Sequence, residues 1–126
     1  MGTGDSNRAL LAPGTDGIGH LTIQSTLTFG ANAKYNWNLN AETLEADEVA
    51  VAGVTIDAGA LFFAFGRGNT AMQSGTVFTV IDNTAITPIA GTFGNLPDGS
   101  TITIGSNTYR VSYQGGTGND LTLTVQ

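Results

Sequence analysis

The side chains best suited to chemistry fall into a few groups. Glu42, Glu45, Asp47 and Glu48 form the only dense acidic group in the chain. A hard cation such as Ca²⁺ needs several oxygens from one convergent loop, and this spacing does not follow an EF-hand. As glycosidase carboxylates these residues would need a partner across a cleft. The group therefore reads as a solvated acidic bulge. Gly115-Gly116-Thr117-Gly118-Asn119-Asp120 follows the opening of the calcium-binding repeat G-G-x-G-x-D-x-U-x. The apolar position of that repeat falls here on Thr122, and the motif occurs once, whereas such ions sit between successive copies. The stretch reads instead as a glycine corner whose Asp120 bonds backbone amides.

His20 is the only histidine and there is no cysteine, so a transition-metal site lacks ligands. Asp16 and Ser25 lie near it, but no G-x-S-x-G elbow accompanies them. His20 reads as a loop or strand-edge residue. The triplets Thr26-Leu27-Thr28, Thr101-Ile102-Thr103 and Thr122-Leu123-Thr124 could bind ice only if stacked in register. Their irregular placement marks them as ordinary strand threonines. Tyr35, Trp37, Tyr109 and Tyr113 could stack on sugars if exposed, yet each shares the phase of its strand's apolar face, which points to the core. Lys34 is the only lysine, and nothing supports a cross-link from it. No residue is assigned to catalysis, to a cofactor or to a metal, and the chain is read as not an enzyme.

Composition narrows the class of partner. The 126 residues contain 18 Gly, 3 Pro and only 4 Lys+Arg, with a net charge of −6. Arg8, Lys34, Arg67 and Arg110 are scattered, so there is no clustered cationic face for nucleic acid or for anionic lipid. Charged residues make up 11%, against roughly 25% in average soluble proteins. A Thr/Asn/Gly-rich surface of low charge is common in secreted β proteins. No apolar run approaches the roughly 20 residues of a membrane helix, so no membrane insertion is expected. Met1 onward shows no basic region followed by an apolar core, so no signal peptide is expected.

The elements behind these residues are strands. Residues 1–8 read as a flexible N-terminal segment and residues 9–126 as one domain. Period-two alternation runs through Leu21/Ile23, Leu27/Phe29, Tyr35/Trp37/Leu39, Val49/Val51, Val54/Ile56, Phe78/Val80, Ile102/Ile104, Tyr109/Val111/Tyr113 and Leu121/Leu123/Val125. Leu61, Phe63 and Phe65 form the most apolar strand, which predicts Phe63 in the core. Asn40 to Asp47 predicts a single helical turn with Asn40 as its N-cap. About nine or ten short strands result, with bends too short for helices or for βαβ crossovers. The pattern predicts a right-handed parallel β-solenoid, or β-helix, with residues 91–126 as an antiparallel capping meander. The alternative is a β-sandwich.

The last third carries the strongest punctuation. Gly91-Thr92-Phe93 leads to Asn95-Leu96-Pro97-Asp98-Gly99-Ser100, then Tyr109 to Tyr113, then Gly115 to Asp120 and Leu121-Thr122-Leu123-Thr124-Val125. Upstream stand Leu11-Ala12-Pro13-Gly14 with Leu21-Thr22-Ile23, and Asp47-Glu48-Val49 with Gly53-Val54. In this order the segments resemble the autotransporter-associated β-strand repeat regions of secreted bacterial β-helix proteins. His20 departs from that pattern. The resemblance implies an extracellular or cell-surface structural module, a building block of a fibre, layer or passenger stalk. It would associate with itself or with neighbouring β-solenoid repeats through open coil ends. The alternative from another class is an adhesion module that binds a surface polysaccharide.

Overall fold

The computed structural model describes residues 9–11 and 18–126, and of Ala9 and Leu10 the backbone only. The expected flexible segment 1–8 lies outside the described residues. So does most of the entry motif from Ala12 to Gly17.

Every regular element described is a strand, so the chain is all-β. In order they are β1 (Ala9–Leu11), β2 (His20–Ile23), β3 (Leu27–Phe29), β4 (Ala33–Asn40), β5 (Glu45–Ala46), β6 (Glu48–Val51), β7 (Val54–Ile56), β8 (Leu61–Arg67), β9 (Val77–Asn83), β10 (Thr101–Ile104), β11 (Asn107–Gly115) and β12 (Asp120–Val125). The sheets are mixed. In one, β1, β4 and β8 pair in parallel, and the short β5 folds back antiparallel on β4. In the second, β2, β6 and β9 pair in parallel, then β12, β11 and β10 continue antiparallel from β9. In the third, β3 pairs in parallel with β7, and Thr55 of β7 forms a further parallel bridge to Ala90. Parallel neighbours cannot be joined by a tight hairpin. Here each parallel partner is reached only after the chain has supplied a strand to each of the other two sheets.

The inward phase of each strand builds the core. Tyr35, Trp37 and Leu39 alternate with half-buried Lys34, Asn36 and Asn38 along β4. Val49 and Val51 do the same on β6, and Tyr109, Val111 and Tyr113 on β11. The rings meet in a chain. Phe29 and Phe93 pack edge-on at 5.0 Å between centroids, Tyr35 meets Phe62 at 5.7 Å, Trp37 meets Phe78 at 6.3 Å, and Phe78 meets Tyr109 at 6.3 Å. Edge-on and offset contacts of this kind suit the ring quadrupole. The Tyr35 hydroxyl donates to Val80 O at 2.9 Å, so one core tyrosine ties two sheets together.

One expected phase is reversed. Phe63 is 37% exposed and Phe65 51%, while Phe62 is 3% exposed and packs inward. The run from Leu61 to Phe65 is apolar in both phases, so alternation could not choose between them. The register with β4 chooses: Phe62 stands beside Tyr35 and Ala64 beside Trp37, on the side where β4 buries its aromatics.

The turns follow their residues. Gly105-Ser106 joins β10 to β11 with Ile104 opposite Asn107, and only Gly105 has positive φ, at 60°. That is the type II′ geometry favoured between antiparallel strands, with glycine at the first central position. Between Asn40 and β5 there is one isolated turn and no helix. Asn40 Oδ1 accepts from Glu42 N–H at 2.9 Å, the bond expected of a cap, and Leu44 leaves the turn at φ 60°. Gly91 has φ 88°, and a Cβ there would come within 2.1 Å of Ile56 O. Glycine is what lets this segment lie against β7.

Candidate functional site

The residues singled out by the sequence do not converge on one place. At the end holding the first strands, β2 is the terminal strand of its sheet. Glu48 N–H donates to Gly19 O at 3.1 Å. Alternate residues of a parallel strand turn their amides to opposite sides. Leu21 and Ile23 therefore address β6, and the main chain of His20 and Thr22 addresses the open side. Among the described residues no strand pairs there. His20 and Thr22 are exposed, and Leu21 is 38% exposed although its partner Val49 is fully buried. His20 is thus a strand-edge residue.

Asp47 positions this edge, and it is not part of a solvated bulge. Its side chain is fully buried. Oδ1 accepts from Gly19 N–H at 2.7 Å, and Oδ2 from Asn38 N–H at 2.9 Å and Asn38 Nδ2 at 2.8 Å. Trp37 Nε1 donates to Asp47 O at 2.7 Å. A buried carboxylate is tolerable when donors surround it in this way. The bracket binds the entry into β2 to β4, two segments far apart in sequence. Glu42 and Glu45 are exposed, as a bulge requires, while Glu48 is half-buried.

Glu48 and His20 are paired residues on β6 and β2 and line a cleft of about 330 Å³ with Leu44, Glu45, Ala46, Val77, Phe78 and Thr79. Burial pushes the Glu48 carboxyl above its ordinary value; His20 offsets part of this, and Asp82 and Asp120 add to it. Among the described residues no group of three or more His, Asp or Glu is placed to hold a metal ion.

Around β8 and β9, asparagine side chains take main-chain partners. Asn95 Oδ1 accepts from Phe62 N–H and its Nδ2 donates to Phe62 O, both at 2.8 Å, as a neighbouring strand would. Phe62 lies on β8, the last strand of its parallel ladder. Asn107 does the same for the loop after β8, accepting from Met72 N–H at 2.7 Å and donating to Thr70 O at 3.0 Å. Asn119 Nδ2 donates to Ala85 O and to Thr87 O. Asp120 Oδ1 accepts from Asn83 N–H at 3.0 Å, so it serves the end of β9 rather than its own glycine corner. These contacts occupy most of the polar groups around a second cleft of about 450 Å³ near Asn83, Ile86 and Thr117. Asparagines in a glycine-rich segment read as turn formers, which concealed this role.

The tyrosines behave as core residues. Tyr113 is 3% exposed; its hydroxyl accepts from Phe93 N–H at 3.1 Å and donates to Leu96 O at 2.7 Å. Burial pushes that phenol, and that of Tyr35, well above the ordinary value. The threonine triplets lie on β3, β10 and β12, no two of which are neighbours. No family model matches the chain, and neither a curated protein nor a solved structure was found to match it.

Proposed function

We propose that the chain is an extracellular structural and assembly module of a bacterial surface protein, the C-terminal part of a parallel β-helix that joins its neighbour through an open end. Three parallel ladders, each advancing by one circuit of the other two sheets, are how a right-handed solenoid would stack its coils. A sandwich would need mainly antiparallel pairs, and these belong to β5 and the C-terminal strands alone. The residues that carry the autotransporter-associated resemblance have structural tasks: Phe93 and Leu96 are buried, Asp98 accepts from Tyr113 N–H, and Asp120 holds β9. The observation that carries the reading is the contrast between the ends. Asn95 takes the main chain of Phe62 on β8 and β12 pairs with β9, while among the described residues no strand covers the far side of β2, where the amide of Thr22 turns outward and Leu21 is 38% exposed. An uncovered strand edge is a template for strand addition.

Thr22→Pro tests this. It deletes an outward amide without entering the meander. Association with a second copy or a neighbouring coil, followed by sedimentation across concentration, should weaken. The near-ultraviolet circular dichroism of the buried tyrosines should persist. Unchanged association would refute the open-edge reading.

A second reading retains one observation. The aromatics first considered for sugar stacking are buried, Trp37 at 0% exposure. Phe63 and Phe65 are exposed, and their β4 partners are Asn36 and Asn38. Flat rings beside amides suit a surface polysaccharide. Binding to a panel of bacterial glycans that Phe63→Ala and Phe65→Ala abolish would favour it.

A further inference from the structure

We propose that the cleft between the β4–β5 turn and the start of β9 binds a primary alkylammonium, with its nitrogen on Glu45 and Glu48 and its chain along Leu44 and Val77. At about 330 Å³ the cleft lies at the small end of the roughly 300–1,000 Å³ in which small-molecule sites fall. Its lining joins an apolar wall to two carboxylates and a histidine. Leu44 and Val77 are both more than half exposed, beside the buried Phe78. Leu44 is held there against its own preference. Its φ of 60° lies in the left-handed region, which suits glycine or asparagine and strains leucine, and its N–H donates to Asn40 O at 2.9 Å. An exposed leucine in a strained conformation adds little to folding stability, and such outliers gather at ligand clamps.

The polar side selects the charge of the ligand. The Asp47 carboxylate accepts three hydrogen bonds from the protein. Those of Glu45 and Glu48, on either side of it in sequence, accept none among the described residues. No described Lys or Arg lines the cleft, and His20 alone among its described residues can carry positive charge. Asp82 on β9 and Asp120 on β12 add to the negative field at the half-buried Glu48. An anion is therefore repelled. A hard divalent cation wants more oxygens than these two side chains offer, and no metal-holding group forms among the described residues. A monocation that donates hydrogen bonds suits both carboxylates, and a primary ammonium carries three donors on an apolar stem. The second cleft offers less, because Asn83 and Asn119 already bond the loop beside it. A bound ammonium favours the charged form of Glu48, which burial disfavours, so binding should tighten as pH rises through its raised value. Protonation of His20, Glu45, Asp82 or Asp120, which act on the same group from β2, β5, β9 and β12, has the same sign.

The probe is n-hexylammonium. Titrated at neutral pH into methyl-labelled chain, it should shift the resonances of Leu44 and Val77 to saturation, while those of Ile86 at the second cleft stay in place. Hexanol and hexanoate, neutral and anionic at the same length, should bind about tenfold more weakly or not at all. Glu48→Gln should weaken hexylammonium about tenfold, the loss of a charge-assisted hydrogen bond. Leu44→Asn separates the site from the fold. Asparagine tolerates the left-handed conformation, so the melting temperature should hold or rise while affinity falls about fivefold. Nα-acetyl-lysine methylamide then distinguishes the sources of the ammonium. Binding as tight as that of hexylammonium assigns the cleft to the lysine side chain of a partner, and binding about tenfold weaker assigns it to a free amine. Hexanol binding as tightly as hexylammonium would overturn the charge selection. Shifts that do not saturate, or an affinity that neither variant changes, would overturn the site.

Discussion

Two adjacent phenylalanines have opposite fates. Phe62 is enclosed by Tyr35, Trp37 and Phe93, while Phe63 lies outside with the Lys34 ammonium 5.4 Å from its ring centroid. Phe62→Ala should cost about 3–5 kcal/mol, the range for emptying a packed aromatic site. Phe63→Ala should stay within about 1 kcal/mol, because its ring already meets water on one side. Paired denaturant melts of the two variants check this, and equal losses would contradict the packing. Glu48 gives a pH prediction. A carboxyl whose folded value is raised makes its greatest contribution to stability below its unfolded value, and loses it as pH rises through the folded one. Stability should therefore fall as pH climbs from the ordinary glutamate value of 4.5 through Glu48's raised one. Glu48→Gln should flatten that slope in thermal melts taken across the same window, with Asp120, raised from 3.8 by its own burial, left to supply the rest.

The strands themselves were legible wherever alternation was clean. On β4, Tyr35, Trp37 and Leu39 stand apart from three polar neighbours, so both the element and its inner face could be read directly. The antiparallel meander within residues 91–126 was legible because its glycines and short polar turns admit few geometries. On β8 both phases are apolar, and only pairing with β4 could decide between them. Asp47 was misread for a different reason. Its neighbours Glu42, Glu45 and Glu48 suggest solvent, and its true partners are Asn38 on β4 and Gly19 just before β2. The polar brackets share this property: Asn95 meets Phe62 only once the ladders have formed. Asn95→Ala should leave both main-chain groups of Phe62 without partners, costing about 1–3 kcal/mol. It should also expose the Phe62 main chain on the β8 edge, so that the variant associates more than the parent in light scattering. A variant no larger and no less stable than the parent would show that water replaces the amide.

For the molecule as a whole, composition was informative about class and silent about connectivity. Scarce charge, many glycines and abundant threonine pointed to strands and tight corners. Whether those strands pair with their neighbours or with strands one circuit away is decided by how the inner faces stack, which no single segment encodes. The pairing is parallel between β1, β4 and β8 and between β2, β6 and β9, strands well separated in sequence.

The antiparallel meander has a kinetic consequence. Its strands are joined by the short turns at Gly105 and Gly116, so they close at small entropic cost, whereas each parallel pair must first enclose a long loop. Folding should begin at β10–β12, recruit β9, and advance through β6 to β2 last. Local opening should retrace the route in reverse, a zipper unfastening from one side. Native-state hydrogen exchange should then show protection declining from Leu123 through Ile81 and Ala50 to Ile23. An equal, all-or-none protection at the four sites would mean that the chain opens as one unit.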